Sequence, residues 1–175
     1  IKVLKLDNIL ISTNRFILRP LSVNDVSTKY LSWLTLEKSG GYILYAKQKH
    51  SLNVLKEYVS KKEKDGNVLF LGVFEKVTNK HIGNIKYDPI DLESKVAVMG
   101  ILIGDPEWRG RGVAEEVLLA SGEWLKANFF INKIVLGVYK SNIAAIRAYE
   151  KTGFIVSKTP EIKPDPAGIT MVWNL

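Results

Sequence analysis

A glycine-rich segment that follows an apolar run has the residue types best suited to chemistry. Residues 101–114 read Ile-Leu-Ile-Gly-Asp-Pro-Glu-Trp-Arg-Gly-Arg-Gly-Val-Ala, which predicts a strand, a tight turn and the start of a helix. The first turn of such a helix presents unpaired N–H groups and the positive end of the helix dipole. Gly110 and Gly112 lack a Cβ, so an anion can approach the main chain, and Arg109 and Arg111 add positive charge. The pattern favours a phosphate or pyrophosphate site, with a tight turn carrying surface arginines as the alternative.

Alternating strands and helices must position this segment. Period-2 and helical patterns predict the order β-β-α-α-β-β-β-α-β-α-β-β, that is, meandering strands followed by a βαβα unit. The predicted strands are 3–11, 15–18, 68–75, 81–87, 96–103, 133–138, 154–157 and 169–173. The predicted helices are 22–34, 112–129, 142–151 and one that begins after Ser51, whereas 35–50 has no clear assignment. This order predicts an α+β protein with a mixed sheet and helices on both faces.

The composition is that of one globular domain without cysteine. The 175 residues are 46% hydrophobic and 25% charged, enough for a sizeable core. The absence of cysteine excludes thiolate nucleophiles and disulfides. The two histidines, His50 and His81, are too few for a His-rich metal site, so we predict no bound metal. The longest apolar stretch, 96–103, is far shorter than the roughly 20 residues of a membrane span. With no secretory pattern at the start of the chain, we expect a cytoplasmic protein without a membrane partner.

The positive charge of the chain points to an anionic partner. Twenty-five Lys and Arg residues against 18 Asp and Glu give a net charge of +7. Such a balance is typical of proteins that bind nucleic acid, acidic proteins or phosphorylated cofactors, and a solvated basic face is the alternative. The basic residues are scattered along the sequence, and no recognition-helix motif or aromatic-basic platform is visible, so nucleic acid is an unlikely partner.

Two motifs in the second half of the chain resemble those of a known family. Arg109, Gly112 and Ala114 fit the pattern R/Q-x-x-G-x-G/A, and residues 142–154 fit N-x-x-A-x-x-x-Y-E-K-x-G-F. At this separation they resemble the GCN5-related N-acetyltransferases, the GNAT superfamily. Residues 15–21 and 30–34 resemble the branch that contains the ribosomal-protein N-terminal acetyltransferases.

The resemblance covers about residues 9–175 and implies one domain over 1–175. The implied fold is the α+β acyl-CoA N-acyltransferase fold. It is a three-layer sandwich in which a mixed, mostly antiparallel, twisted central sheet has helices on both faces.

The resemblance also implies roles for particular residues. The strand before the loop, at 101–103, would separate from its neighbour and pair with the pantetheine arm of acetyl-CoA. The loop and helix start, 109–114, would hold the pyrophosphate. Asn142 would contact the cofactor arm, and the Tyr149 hydroxyl would lie near the thioester sulfur. Asn142 as a plain helix N-cap and Tyr149 as a core tyrosine are the alternatives. The implied cofactor-binding residues are Ile101, Leu102, Ile103, Arg109, Gly110, Arg111, Gly112, Val113, Ala114, Asn142 and Tyr149.

The implied reaction is direct attack of a neutral amine on acetyl-CoA, without a covalent enzyme intermediate. A backbone N–H near Ile103 would stabilise the oxyanion, and Tyr149 would act as the catalytic general acid. Many relatives have a glutamate two positions before the conserved glycine of the strand, where this chain has Val98. Neutralising a lysine-like amine at pH 7.4 costs about 4 kcal/mol, against under about 1 kcal/mol for an α-amine. A site without a base therefore favours α-amines, or sugar amines of similarly low pKa.

Residues outside the motifs are candidates for the acceptor side. His81 has a suitable intrinsic pKa for a base, although a structural histidine is the alternative. Gly40 and Gly41 suggest a loop that can move over the site. Other candidate bases are Glu37, His50, Asp88 and Asp91. The candidate substrate-binding residues are Trp33, Tyr42, Tyr45, His81 and Tyr87, with core or edge packing as the alternative for the aromatic ones.

Three function classes follow from the sequence. The first is an acetyl-CoA-dependent N-acetyltransferase, acting on a protein N-terminus, an amino sugar or aminoglycoside, or a free amino acid or polyamine, in that order. The second is a non-catalytic acyl-CoA binder, which Val98 favours and which Asn142 and Tyr149 disfavour. The third is a nucleic-acid-binding domain, suggested only by the net charge. We expect a monomer or a homodimer.

Overall fold

The computed structural model describes residues 8–34 and 51–175. The strands in chain order are β1 (Ile11–Ser12), β2 (Phe16–Pro20), β3 (Leu69–Glu75), β4 (His81–Asp91), β5 (Val96–Ile103), β6 (Lys133–Tyr139), β7 (Ile155–Val156) and β8 (Gly168–Asn174). The helices are α1 (Thr28–Trp33), α2 (Leu52–Glu63), α3 (Val113–Phe129) and α4 (Ile143–Thr152). None of the helices within these ranges is long and apolar enough to cross a membrane.

All eight strands form one sheet in the order β1-β2-β3-β4-β5-β6-β8-β7. Every neighbouring pair is antiparallel except β5 and β6, which run parallel. The sheet thus consists of two antiparallel halves joined by one parallel pair. This confirms the predicted mixed, mostly antiparallel sheet.

The two halves separate where β5 and β6 leave each other. These strands pair only from Val96 with Lys133 to Val98 with Val135. Beyond that point β5 continues to pair with β4, as far as Ile103, and β6 with β8, as far as Tyr139. The far ends of β5 and β6 therefore bound an opening in the middle of the sheet.

Helices cover both faces of the sheet, as predicted. On one face α3 buries Val117, Leu118 and Leu125 in the main core, which α4 joins through Tyr149. On the other face α1 and α2 form a second core with Leu21, Val68 and Phe70. The three layers place the opening between β5 and β6 within reach of both faces.

Two sequence-predicted elements differ from the structure. The predicted helix 22–34 is divided into a 3-10 turn at Val23–Asp25 and the short helix α1. The division arises because Asp25 binds Arg19 and the Ser22 N–H, while Ser27 caps α1 by accepting from the Tyr30 N–H. Of the predicted strand 3–11, residues 3–7 lie outside the described residues, and β1 itself begins at Ile11.

Candidate active site

A cleft of about 1480 Å³ occupies the opening between β5 and β6. Its walls come from the end of β5, the first turn of α3, the end of β6, one side of α4 and the segment 157–170. On the opposite face of the sheet it reaches α1, α2 and the side chains of β4. The cleft therefore connects the two faces at the point where the sheet divides.

The end of β5 exposes main-chain groups to this cleft. The N–H of Gly104 donates to the Ile82 carbonyl of β4, at 3.0 Å. Since successive residues of a strand point their main-chain groups to alternate sides, those of Ile103 and Ile101 point away from β4. β6 does not pair with this part of β5. The strand thus offers an edge with which an extended ligand can form hydrogen bonds.

The start of α3 is built around two glycines with left-handed backbone. Gly112 is the N-cap of this 17-residue helix with φ 72°, and Gly110 has φ 69°. A Cβ on Gly112 would meet no protein atom closer than Arg15 Nη2, at 4.0 Å. The glycine is thus required by its backbone conformation and by access to the N–H groups of the first helical turn, and not by packing within the fold.

The two arginines of the loop have different positions. Arg109 lines the cleft, and its guanidinium donates to the carbonyl oxygens of Ile103 (3.0 Å) and Gly104 (3.3 Å), which holds the loop against the end of β5. Arg111 is not among the residues that line the cleft, and its guanidinium lies 6.0 Å from the centre of the Trp108 ring. The main-chain carbonyl oxygen of Arg111 accepts a hydrogen bond from the Arg15 guanidinium.

Glu116 anchors the first turn of α3 to the turn between β1 and β2. Its carboxylate accepts from Thr13 Oγ1 (2.6 Å), from the Arg15 N–H (2.8 Å) and from Arg15 Nε (2.7 Å). Burial alone would raise the pKa of Glu116, but the hydrogen bonds from Thr13 and Arg15 outweigh it and hold the pKa below the ordinary value. This network fixes the helix start that the glycine loop leads into.

We expect Glu116→Gln to reduce the free energy of unfolding by about 1.5–3 kcal/mol at neutral pH, because it removes charged hydrogen bonds. Since the folded-state pKa lies below the ordinary value of 4.5, the contribution of Glu116 is present above pH 4.5 and is lost as the pH falls through the folded-state pKa. The difference between wild type and Glu116→Gln should therefore shrink in acid. Urea unfolding at several pH values measures it. Glu123→Gln, on the exposed side of α3, is the matched control and should change little; an equal loss in both variants would contradict the anchoring role.

Tyr149 lies in the cleft wall with a buried hydroxyl. Its side chain belongs to α4 and the residue is 8% exposed. Burial raises the pKa of Tyr149 to about 12, so the phenol stays protonated at neutral pH. Among the described residues no group forms a hydrogen bond with this hydroxyl. Buried hydroxyls are nearly always satisfied, and a bound ligand can supply the partner here.

Asn142 is a helix N-cap, the alternative given for it, and it also lines the cleft. It is the N-cap of α4, and its side-chain oxygen accepts from the Ala145 N–H at 3.3 Å. It also lines the cleft, where its amide NH₂ remains able to donate to a ligand. Contact with a cofactor is still a prediction.

The charge of the cleft wall is strongly positive. Among the residues that the structure describes, seven basic side chains line it against two acidic ones. The basic ones are Lys86, Arg109, Lys140, Arg147, Lys151, Lys158 and Lys163, and the acidic ones are Glu115 and Asp165. This excess attracts a ligand with several negative charges.

Two of the predicted substrate-binding aromatics instead pack in the interior. Tyr87 is fully buried, and its hydroxyl lies 2.7 Å from Ser121 Oγ of α3. Trp33 is 2% exposed and packs under Gly104, where an added Cβ would lie 2.0 Å from its ring. Neither lines the cleft, so core packing, the alternative given for both, describes them.

His81 is also placed away from the cleft wall. Its ring lies between those of Tyr30, Trp33 and Phe74, at centroid distances of 5.6, 5.0 and 4.9 Å. Burial holds the pKa of His81 below its usual value, against the hydrogen bond with Asn84. The imidazole is therefore neutral at pH 7 and has a structural environment.

The remaining candidate bases are paired or lie elsewhere. Asp88 binds Lys62 (2.6 Å) and Lys86 (3.3 Å), and Asp91 accepts from the N–H groups of Glu93 and Ser94. Neither carboxylate lines the cleft. The candidates Glu37, Tyr42, Tyr45 and His50, and the glycine pair at 40–41, lie outside the described residues.

The side of the cleft that faces α1 and α2 contains residues that the sequence motifs do not indicate. They come from α1, α2 and the face of β3 and β4 opposite α3. These residues are Tyr30, Leu34, Tyr58, Phe70, Asn84 and Lys86. The one signal in the sequence was Asn84, a polar residue within the apolar run of a central strand.

The chain resembles known proteins both in its sequence family and in its fold. The model of the acetyltransferase (GNAT) domain family matches residues 15–155. Among solved structures, a ribosomal-protein α-N-acetyltransferase in complex with coenzyme A superposes with a TM-score of 0.82 at 15% identity, covering 95% of this chain and 98% of that one. A ribosomal-protein-serine acetyltransferase from Vibrio cholerae gives 0.76 at 15% identity, with coverage of 96% and 98%. A chimeric spermidine N-acetyltransferase from Vibrio cholerae gives 0.76 at 20% identity, with coverage of 92% and 96%.

Proposed function

Because this chain belongs to the GNAT family of acetyltransferases, and is therefore an acetyl-CoA-dependent N-acetyltransferase, we propose that it acetylates the N-terminal α-amine of a protein or peptide. The observation that carries the proposal is the cleft between β5 and β6, which has a free strand edge, a glycine-rich helix start and a buried tyrosine hydroxyl in one wall. Acetyl-CoA supplies the acetyl thioester when bound.

The chemistry of the cleft fits a long, polyanionic cofactor. The edge of β5 at Ile101 and Ile103 suits the amide groups of the pantetheine arm, because β6 does not pair with the main-chain groups that these residues turn away from β4. One of them, the Ile103 carbonyl oxygen, also accepts from Arg109. The first turn of α3 suits the pyrophosphate, because Gly110 and Gly112 leave its N–H groups accessible. The basic side chains of the wall add long-range attraction.

The acyl transfer follows from the same groups. Acetyl transfer would form a bond between the amine nitrogen and the acetyl carbon and break the C–S bond, with one amine proton passing to solvent. A main-chain N–H near Ile103 would stabilise the negative charge on the carbonyl oxygen. Tyr149, which stays protonated at neutral pH, would protonate the departing sulfur as general acid and regain its proton from solvent.

The side of the cleft that faces α1 and α2, where we place the acceptor, favours an amine of low pKa, of which a substantial fraction is neutral at pH 7.4. The described residues that line the acceptor side include no carboxylate, and Val98 stands where many relatives have glutamate. An α-amine near pKa 8 needs little help to lose its proton, whereas a lysine side chain near pKa 10.4 needs a base. The basic wall further favours an acidic peptide over a polyamine.

A small amine that carries phosphate is the second candidate. It is supported by Lys86 on the acceptor side and by Lys158 and Lys163 in the segment 157–170, which forms part of the cleft wall. These cations suit a nucleotide-linked amino sugar as well as an acidic peptide, and sugar amines also have a low pKa.

Two matched peptides test the proposed acceptor. Both begin with a small residue followed by acidic residues; one has a free α-amine and an acetylated lysine, the other an acetylated N-terminus and a free lysine. We expect the first to react at least about tenfold faster, since its amine is neutral more often at pH 7.4. Mass spectrometry locates the acetyl group. Equal rates would overturn the α-amine assignment, and turnover of only the sugar amine would favour the second candidate.

The pH dependence of the reaction reports whether the protein supplies a base. If the neutral amine reacts unassisted, log kcat/KM should rise with unit slope up to the pKa of the substrate amine, near 8 for a peptide, and then level off. Peptides whose α-amines differ in pKa should shift this midpoint in parallel. A midpoint that stays below pH 7 for every peptide would instead reveal a basic group of the protein.

A further inference from the structure

Asn84 is buried in the cleft wall, and only the oxygen of its side-chain amide has a hydrogen-bond partner among the described residues. It is 4% exposed, in the middle of β4, and lies directly opposite Leu102 in the β4–β5 register. Its Oδ1 is 2.7 Å from Nε2 of His81. Its Nδ2 has no partner among the described residues. Leaving a buried amide donor unpaired is costly, so this group calls for a ligand atom.

The contacts of His81 fix which way Asn84 is turned. Nε2 of His81 lies 3.0 Å from the Gly83 carbonyl oxygen, which can only accept, so Nε2 must bear a hydrogen. That N–H can be shared with an acceptor on Asn84 but not with a second donor. The side chain is therefore held with Oδ1 toward His81, and its NH₂ is directed away from the imidazole. The imidazole itself is held by two aromatic rings: the Phe74 ring stacks on it, and the Trp33 ring meets it edge-on.

We propose that Asn84 is a specificity-determining residue that donates a hydrogen bond to a carbonyl oxygen of the acceptor, and that His81 is its positioning residue. The proposal rests on the proposed function, because it concerns the acceptor side of the same cleft. An α-amine of a peptide has a carbonyl group two atoms from the nitrogen. A lysine side chain or a polyamine has no such oxygen next to its amine, so this contact selects the N-terminus of a chain.

Asn84→Asp removes the NH₂ donor of this side chain and keeps the oxygen that faces His81. We expect kcat/KM for the free-α-amine peptide to fall by about tenfold or more, mainly through KM, because the peptide carbonyl would meet an acceptor. Affinity for acetyl-CoA should change far less, and turnover of a simple alkylamine, which has no carbonyl to lose a contact, should not fall. Asn128→Asp, the same change on the exposed last turn of α3, is the control.

The orientation can be measured without any turnover. The chain has only two histidines, so nitrogen NMR of the imidazoles is simple, and His81→Phe identifies the signal. We expect His81 to be the neutral Nε2–H tautomer at pH 7 in the wild type and to become protonated beside the new carboxylate in Asn84→Asp. An Nδ1–H tautomer in the wild type would overturn the positioning role.

The outcomes distinguish this inference from the proposed function. If the wild type acetylates the peptide and Asn84→Asp does so equally well, the acceptor role of Asn84 is overturned and the proposed function stands. If the wild type acetylates no peptide α-amine, the proposed function fails and the acceptor role fails with it. Selective loss of the peptide reaction, with the expected tautomer, supports both residues.

Discussion

Replacing Gly112 by aspartate should weaken acetyl-CoA binding by at least about 100-fold, which corresponds to roughly 2.7 kcal/mol. Gly112 caps α3 with φ 72°, and its missing side chain leaves the N–H groups of the first turn accessible. An aspartate would put a carboxylate where the pyrophosphate is expected and would repel it. Among the described residues beyond its chain neighbours, the nearest atom to an added Cβ is Arg15 Nη2 at 4.0 Å. Aspartate is one of the residues that adopt left-handed backbone most readily, so the fold accommodates it with modest strain.

Gly112→Asn separates charge from shape. Asparagine has nearly the same volume as aspartate and tolerates left-handed backbone, so it adds bulk without charge. We expect an affinity between those of the wild type and the aspartate variant. Calorimetry gives the three affinities, and thermal unfolding checks that each variant is folded. A folded Gly112→Asp protein that binds acetyl-CoA normally would place the phosphate site elsewhere.

The second large effect is expected for Tyr149→Phe, which should lower kcat by about 10²-fold, as removal of a general acid or hydrogen-bond donor does. Its affinity for acetyl-CoA should stay within a few-fold of the wild type. The hydroxyl has no partner among the described residues, so its removal breaks no hydrogen bond in that part of the fold. Single-turnover kinetics with saturating acetyl-CoA measures the loss.

Tyr87→Phe is a matched control for this variant. It is the same chemical change at a tyrosine whose hydroxyl is bound to Ser121 in the core. We expect it to cost about 1 kcal/mol of stability and to leave kcat unchanged. The two variants should therefore show opposite behaviour: Tyr149→Phe loses rate and keeps stability, and Tyr87→Phe loses stability and keeps rate. A full rate in Tyr149→Phe would remove the tyrosine from the mechanism.

The elements around the cleft could be predicted because local chemistry determines them. Gly112 and Gly153 mark the start of α3 and the end of α4 through their positive φ, and Asn142 caps α4. The short continuous apolar run 96–103, rich in β-branched residues, is typical of a strand buried on both faces. The sheet with helices on both faces follows from the order of these elements, and the structure confirms it.

The face to which a residue points could not be predicted in the same way. In β4, Ile85 and Tyr87 point to α3, whereas Asn84 and Lys86 point to the face covered by α1 and α2. Alternation separates the two sets, but helices cover both faces, so the pattern does not say which set meets the cleft. The sequence pattern therefore does not distinguish Tyr87, which packs in the core, from Asn84 and Lys86, which line the cleft.

The separation of β5 from β6 also depends on contacts distant in sequence. Only the resemblance to the GNAT family implied it, since nothing in 96–103 or 133–138 alone says where pairing stops. In the structure it stops after Val98 and Val135, and β6 then pairs only with β8. The division of the predicted helix 22–34 has a similar origin, because Arg19, on the preceding strand, binds Asp25.

The most direct test of the cleft is a calorimetric titration of the wild-type protein with acetyl-CoA, with CoA and ATP as comparison ligands. If the opening between β5 and β6 holds the cofactor, acetyl-CoA and CoA should each bind saturably at one site and compete with each other. ATP, which has the phosphates but no pantetheine arm to pair with β5, should bind far more weakly. Absence of acetyl-CoA binding up to millimolar concentration, or equal binding of ATP, would contradict the assignment of this cleft.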